Sequence, residues 1–409
     1  MTAHFVGEYE GFAGNGAAGA PSWLRELRER GIARFTEVGF PSTRQEAWRF
    51  TNVQPIAETP FTLSSARWEV GRVPAGVVVA PLREAIERWP DLVRAHLARH
   101  AQPDASPFTA LSTAFLADGM LVHVRARTVV AEPLHLTFRI PAGVARPMAH
   151  PRLLVVVERE AQLKLVEAYE AATPAGPSLT NAVTEVVLDD GAQLEICREQ
   201  REGERSFHVA TSQSRQGRDS RLVFTTVALG GALTRHDINA VLDGTGAYLI
   251  LNGLSVLGGR QHVDHHTTIE HAQPHGESHE YFNGVFDGES RGVFNGRIIV
   301  RPGAQRTDSK QTNNNLLLSD SARADSQPQL EIYADDVKCT HGSTVGPLDE
   351  TALFYLKSRG IGATEARGLL TYGFGADILD RVAIPGARNR LDQQIRHRLG
   401  VPDPETGAA

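Results

Sequence analysis

The spacing of hydrophobic positions changes twice along this chain. Over roughly the first 100 residues it is helical in places: Trp23, Leu24 and Leu27 recur among charges behind Ser22, which predicts a short amphipathic helix with Ser22 as its N-cap. Leu82–Trp89 predicts a second helix, stopped by Pro90, and a third follows around Leu92–Leu97. Residues 1–20 are rich in Gly and Ala, and little order is expected there.

From about residue 120 the pattern becomes alternation. Leu121–Val124, Leu134–Phe138 and Leu153–Val157 predict strands separated by turn residues, and this continues to about residue 345 without a long helical pattern. A sandwich, a propeller or a solenoid could be built this way. Internal similarity selects the solenoid. Ala161–Leu165, Ala192–Ile196, Ser220–Phe224 and Ala247–Leu251 share one pattern at spacings of 31, 28 and 27 residues. In a stacked repeat each unit hides only one face, and its neighbours complete the core. Asn313–Asn315 has two readings, a polar ladder stacked at a corner or an ordinary loop.

After Gly346 helical spacing returns. Leu348–Glu350 opens a helix over Ala352–Arg359, with Gly360 placed to close it. A second runs from Glu365 through Tyr372 to about Val382, and a third, Arg388–Leu399, carries Leu391, Ile395 and Leu399 four residues apart. The expected order is a mostly helical segment 1–119, a mainly β solenoid core 120–346, and a helical segment 347–409.

Composition narrows the function. Of 409 residues 41% are hydrophobic and 22% charged, enough for a sizeable core. The net charge of −6 and the lack of a basic block remove the usual footprint of a nucleic-acid binder. The chain has two cysteines, Cys197 and Cys339, so a disulfide framework is excluded, as is a zinc or iron–sulfur site made of four cysteines of one chain. Without a charged-then-apolar N-terminal stretch or an apolar run of about 18 residues, a soluble cytoplasmic protein with no membrane partner is expected.

Two clusters carry candidate chemistry. His262, His265, His266, His271, His275 and His279 lie within one short stretch with Asp264, Glu270, Glu277 and Glu280 among them, and imidazole with carboxylate suits zinc, iron or manganese. Yet Pro274 and Gly276 break any helical face, and on a strand His262 and His266 share one side while His265 takes the other. The run is therefore expected to be a polar, solvated face of one solenoid turn. In the second cluster, Leu330, Ile332 and Ala334 alternate with Glu331 and Tyr333, and past the Asp335–Asp336 corner Val337, Cys339 and His341 fall on one side. Residues two apart on a strand have Cα atoms roughly 6.5–7 Å apart, so a thiolate and an imidazole can reach one metal. Two donors do not complete a site, and a second chain would have to supply the rest. The alternatives are a buried Cys339 beside a satisfied His341, or a Cys–His nucleophile for which no orienting carboxylate is evident. No P-loop sequence occurs, so any nucleotide-driven step must come from another protein.

Arg306–Ser319, Pro328–Gly346 and Leu353–Ile361 together resemble the SufB/SufD family of the SUF machinery that assembles iron–sulfur clusters. Pro41–Thr51, Phe108–Gly119 (with Ser112 where Asn is common) and Lys338–Gly342 are similar to the SufD branch, as is the scarcity of cysteine. The resemblance implies a right-handed parallel β-helix between helical N- and C-terminal domains. It implies pairing with SufB through the β-helix core, binding of the SufC ATPase through C-terminal helices, and a non-catalytic scaffold role. His341 and Cys339 would then face a transient iron–sulfur cluster shared with SufB, none being held stably by the isolated chain. Leu353, Phe354, Tyr355 and Arg359 would contact the ATPase. A homodimer when alone stays open, as does a metal-dependent or carbohydrate-active β-helix enzyme, although 7% aromatics is low for the latter.

Overall fold

A computed structural model describes residues 2–15, 19–65, 67–117, 119–140, 143–171 and 176–402. From Gly119 to Gly346 the chain winds as a β-solenoid whose successive strands alternate between two facing sheets of 11 and 9 strands. Within each sheet the solenoid strands pair in parallel. Gln162, Gln193, Arg221 and Tyr248 stand in one register column, so the residues before them, Ala161, Ala192, Ser220 and Ala247, reproduce the 31-, 28- and 27-residue spacings of the sequence.

Alternation explains why these segments stack. Leu163, Leu194, Leu222 and Leu249 form one inward column, and Leu165, Ile196, Phe224 and Leu251 form the next. They meet Ile238, Ala240, Leu242, Ile269 and Ile298 of the other sheet. Burying each such side chain contributes about 1.5–3 kcal/mol, which one turn alone could not obtain. The small residues of the Ala161 column are fully buried where the chain enters each strand.

Both outer faces are covered by helices. Helix Ala363–Leu379 and helix Pro385–Leu399 lie over one sheet, where Ile378, Leu391 and Ile395 bury Val166, Cys197, Leu254 and Val285. Cys197 therefore faces outward yet is fully buried, and burial pushes its thiol well above the usual range. The other face is covered by N-terminal elements. Phe108 and Leu111 of helix Pro107–Ala114 pack with Leu179, Val209 and Leu233. Trp48 lies over the Arg235 guanidinium, whose other contacts include Asp264 at 2.7 Å.

The N-terminus differs from expectation. Thr2–Asn15 is a helix, and Phe5 is fully buried. Its Phe5, Tyr9 and Phe12 recur at helical spacing and meet Phe35, Phe40 and Phe115, so aromatic packing outweighs the low propensity of the glycines between them. Ser22 is the first residue of helix Ser22–Val38 instead of its cap, and no side chain caps that end. Strands also occur early: Arg67–Val70 and Val77–Pro81 pair antiparallel with Leu134–Ile140 and Gly119–Val124. Their short alternating stretches were hidden among loop residues. No helix of the described residues is long and apolar enough to cross a membrane.

Candidate site at the open end of the solenoid

The last turn consists of Arg323–Ile332 and Val337–Gly346, each the edge strand of its sheet. Both are ten residues long, and Ile332, Tyr333 and Val345 are exposed. Pro328 sits mid-strand in the first, a position tolerated because an edge has no further ladder to donate to. The inward columns continue onto this turn. Val337 and Cys339 pack against the end of the interior core, and alternation puts His341 on that same side, exposed at the rim. Cys339 is half-buried; burial and the nearby Asp308 carboxylate push its thiol up.

Beneath this turn one wall of the interior becomes polar, while Phe294, Ile298 and Val300 keep the facing wall apolar. Thr307, Ser309, Gln311, Asn313 and Asn315 all point inward and are buried. Two register columns lead from them to the candidate residues. Ser278, Ser309 and Cys339 form one, with Ser278 and Ser309 hydroxyls 2.7 Å apart and His271 Nε2 2.8 Å from Ser278. Glu280, Gln311 and His341 form the other, with Gln311 Nε2 donating to Glu280 Oε2 at 2.5 Å. Burial, opposed by the Thr267 hydroxyl and the Gln311 amide beside it, pushes the Glu280 carboxyl up to about 7. The three asparagines are neither a corner ladder nor a loop. They lie within strand Thr307–Leu317, where Asn313 and Asn315 turn inward and bond each other at 2.7 Å.

The histidine run forms strand His262–His271, a turn at His275 and the start of strand Glu277–Phe286. It is not the solvated face expected. His265 and His271 are buried inside the solenoid, and burial lowers each to about 4. His262 and His266 point outward, but N-terminal elements cover that side, with Thr51 2.9 Å from His262 Nε2. Asp264, almost fully buried, is held well below the usual carboxylate range by Arg235 and His266. The run diverges because a strand sends alternate residues to opposite sides. No group of three or more His, Cys, Asp or Glu side chains among the described residues is arranged to hold a metal.

The four residues expected to meet an ATPase lie on or just beyond helix Glu350–Ser358. Asp349 caps it, accepting from Thr351 N at 2.8 Å, and Gly360, in the left-handed region at φ +87°, closes it. Phe354 is 72% and Tyr355 56% exposed, an unusual display of apolar ring surface. The Arg359 guanidinium lies 5.1 Å from the Tyr355 ring centroid, and Leu353 is half-buried. A groove of about 370 Å³, lined by Thr344, Val345, Leu348, Ala352 and Phe374 among others, joins this helix region to the last turn. Cys339 and His341 are thus together, and the aromatic helix adjoins the same end.

Ser309 and Gln311 escaped the sequence reading, which named Glu280 only among the carboxylates of the histidine run. Their signal was the alternation in Thr307–Asn315, where every inward position is polar and uncharged while Asp308 and Lys310 point outward.

Comparison with known proteins agrees with this architecture. Residues 138–374 match the family model described as "SUF system FeS cluster assembly, SufBD core domain", and residues 64–136 match "SufBD protein N-terminal region". An iron–sulfur cluster assembly SufBD family protein of Synechocystis is 37% identical over 71% of this chain and 66% of its own length. The iron–sulfur cluster assembly protein SufD of Escherichia coli is 29% identical over 90% of both chains. SufD of Bacillus subtilis is 25% identical over 93% of this chain and 94% of its own.

Proposed function

This chain belongs to the SufBD family of iron–sulfur cluster assembly proteins, and from that premise we propose that it is a SufD-type scaffold subunit that completes a partner's cluster site at the open end of its solenoid. The observation carrying this reading is the uncovered last turn, which presents Cys339 and His341 side by side on a ten-residue edge. Unpaired edge strands of that length are templates for another chain, and proteins normally blunt them. A SufB subunit of the same fold would extend the columns and bury Ile332, Tyr333 and Val345.

The nascent cluster is cargo in this scheme. Iron–sulfur clusters take thiolates and accept imidazole, with metal–sulfur and metal–nitrogen bonds near 2.3 and 2.0 Å. Cys339 and His341 supply one donor of each kind, and the partner supplies the remainder. The raised thiol of Cys339 releases its proton as iron binds, since the thiolate is the ligand.

The exposed Phe354–Tyr355 pair, with Leu353 and Arg359, is the docking face for the SufC ATPase. Helix Ala363–Leu379 is keyed to the last turns through Asn283 Nδ2 on Phe374 O at 3.0 Å and Arg367 on Leu318 O at 3.2 Å. Movement of the ATPase pair on nucleotide binding would therefore reach the edge strands and open the shared interface to iron and sulfide.

Reconstituted assembly with SufB and SufC tests this directly. His341→Ala should slow cluster formation at least tenfold with complex formation intact; a normal rate would overturn the role of this end. Deleting residues 348–409 is an unsuitable probe of ATPase binding, because it would uncover Cys197, Val166 and Leu254. Phe354→Ala with Tyr355→Ala removes exposed rings only, and should abolish ATPase co-purification without changing thermal stability.

A further inference from the structure

Gln311 is held by one side of its amide, and the other side is left unused. Its side chain is 1% exposed, inside the solenoid, and its amide lies against Gly296 of the opposite sheet. Any side chain at Gly296 would collide, because a Cβ there would stand 2.2 Å from Gln311 Nε2. That nitrogen donates to Glu280 Oε2, and above about pH 7, where this carboxyl is ionised, the carboxylate can only accept. The amide is thereby oriented: its NH₂ is committed inward, and the acceptor Oε1 is left over. Oε1 is buried without a partner among the described residues, an unfavourable state for such a group.

His341 is the register neighbour of Gln311 on the next strand, with its side chain on the same side. Strands in one sheet are about 4.8 Å apart, so an imidazole N–H at His341 can reach that orphan acceptor. We infer that Gln311, oriented by Glu280, is a positioning residue that accepts a hydrogen bond from one ring nitrogen of His341 and thereby holds the other nitrogen lone pair toward the cluster. A ligating histidine ordinarily donates its second N–H to an oxygen in this way, which fixes the tautomer and ring orientation. The inference rests on the proposal that His341 faces the cluster.

The test is the tautomer of His341 in the full chain, read from its ring ¹⁵N shifts in ¹⁵N-histidine-labelled protein at pH 8, where the Glu280 carboxyl is ionised. The His341→Asn spectrum assigns the signals. The wild-type protein should show a single tautomer. Gln311→Leu should replace it with the mixture of a free imidazole. Glu280→Gln, which keeps size and shape and is the recourse if Gln311→Leu fails to fold, allows the Gln311 amide to turn round and should also lift the preference. In reconstituted assembly Gln311→Leu should slow cluster formation about 10–100-fold. Adding it to His341→Ala should cause no further loss. A mixed tautomer in the wild type, or an unchanged single tautomer in either variant, would overturn the inference. Normal assembly by His341→Ala would instead overturn the cluster reading and leave the tautomer result standing.

Discussion

The two ends of the solenoid are built from the same alternating strands and finished in opposite ways. At the first end the edges are short and antiparallel: Arg67–Val70 closes one sheet, Val77–Pro81 the other, and Trp68 packs across the end of the interior. Helices Leu82–Arg88 and Pro90–His96 follow at once, clamped by a buried ion pair. Glu185 takes Arg152 at 2.7 Å, both fully buried, and also accepts backbone N–H groups of Ala98, His100 and Ala101. At the last end two full-length parallel edges stand uncovered, polar residues line one wall of the interior behind them, and Ile332, Tyr333 and Val345 are exposed. One end is finished by its own chain. The other terminates in unpaired edge strands.

That contrast predicts a separation of effects. The largest belongs to the closed end. Glu185→Ala leaves Arg152 buried and unpaired, and should destabilise the fold by about 3–5 kcal/mol in denaturant titration, with partner binding unchanged per folded molecule. Trp68→Ala should cost about 3 kcal/mol by opening the interior at that end. At the open end the pattern reverses. Ile332→Asp with Val345→Asp should leave stability within about 0.5 kcal/mol. The same pair should weaken association with a SufB partner about 30-fold or more, measured by calorimetry. Equal losses of stability from both ends would erase the distinction.

A smaller effect comes from the polar interior. The Glu280 carboxyl is raised from 4.5 to about 7 in the folded protein. Across that window the native state keeps a proton that the unfolded chain has released, so this group's contribution to stability falls as pH rises. Glu280→Gln should gain stability relative to wild type between pH 5 and pH 8, on the order of 1–3 kcal/mol. A difference between the two proteins that does not vary with pH would show that Glu280 titrates normally.

The polar columns also explain why the candidate site was only partly legible in the sequence. Cys339 and His341 could be placed on one side of a strand from alternation alone. Glu280 and Gln311 are separated by one full turn of the solenoid, and their partnership depends on the number of residues spent at each corner, which varies from turn to turn. The histidine run shows the opposite error. Its composition suggested a solvated surface, but the Trp48–Thr51 segment folds back over its outward side, and local sequence carries no sign of that cover.

By itself the sequence determined the repeat, the register of the four strands that follow Ala161, Ala192, Ser220 and Ala247, the three closing helices and the kinship with SufBD proteins, because the period is a local property repeated many times. Tertiary structure alone decided which faces are covered, that Thr2–Asn15 folds as a helix around Phe5, and that the solenoid is closed at one end and open at the other. Those outcomes turn on contacts between segments far apart in the chain, where the docking of one element decides whether a polar residue meets water, a helix or a buried amide.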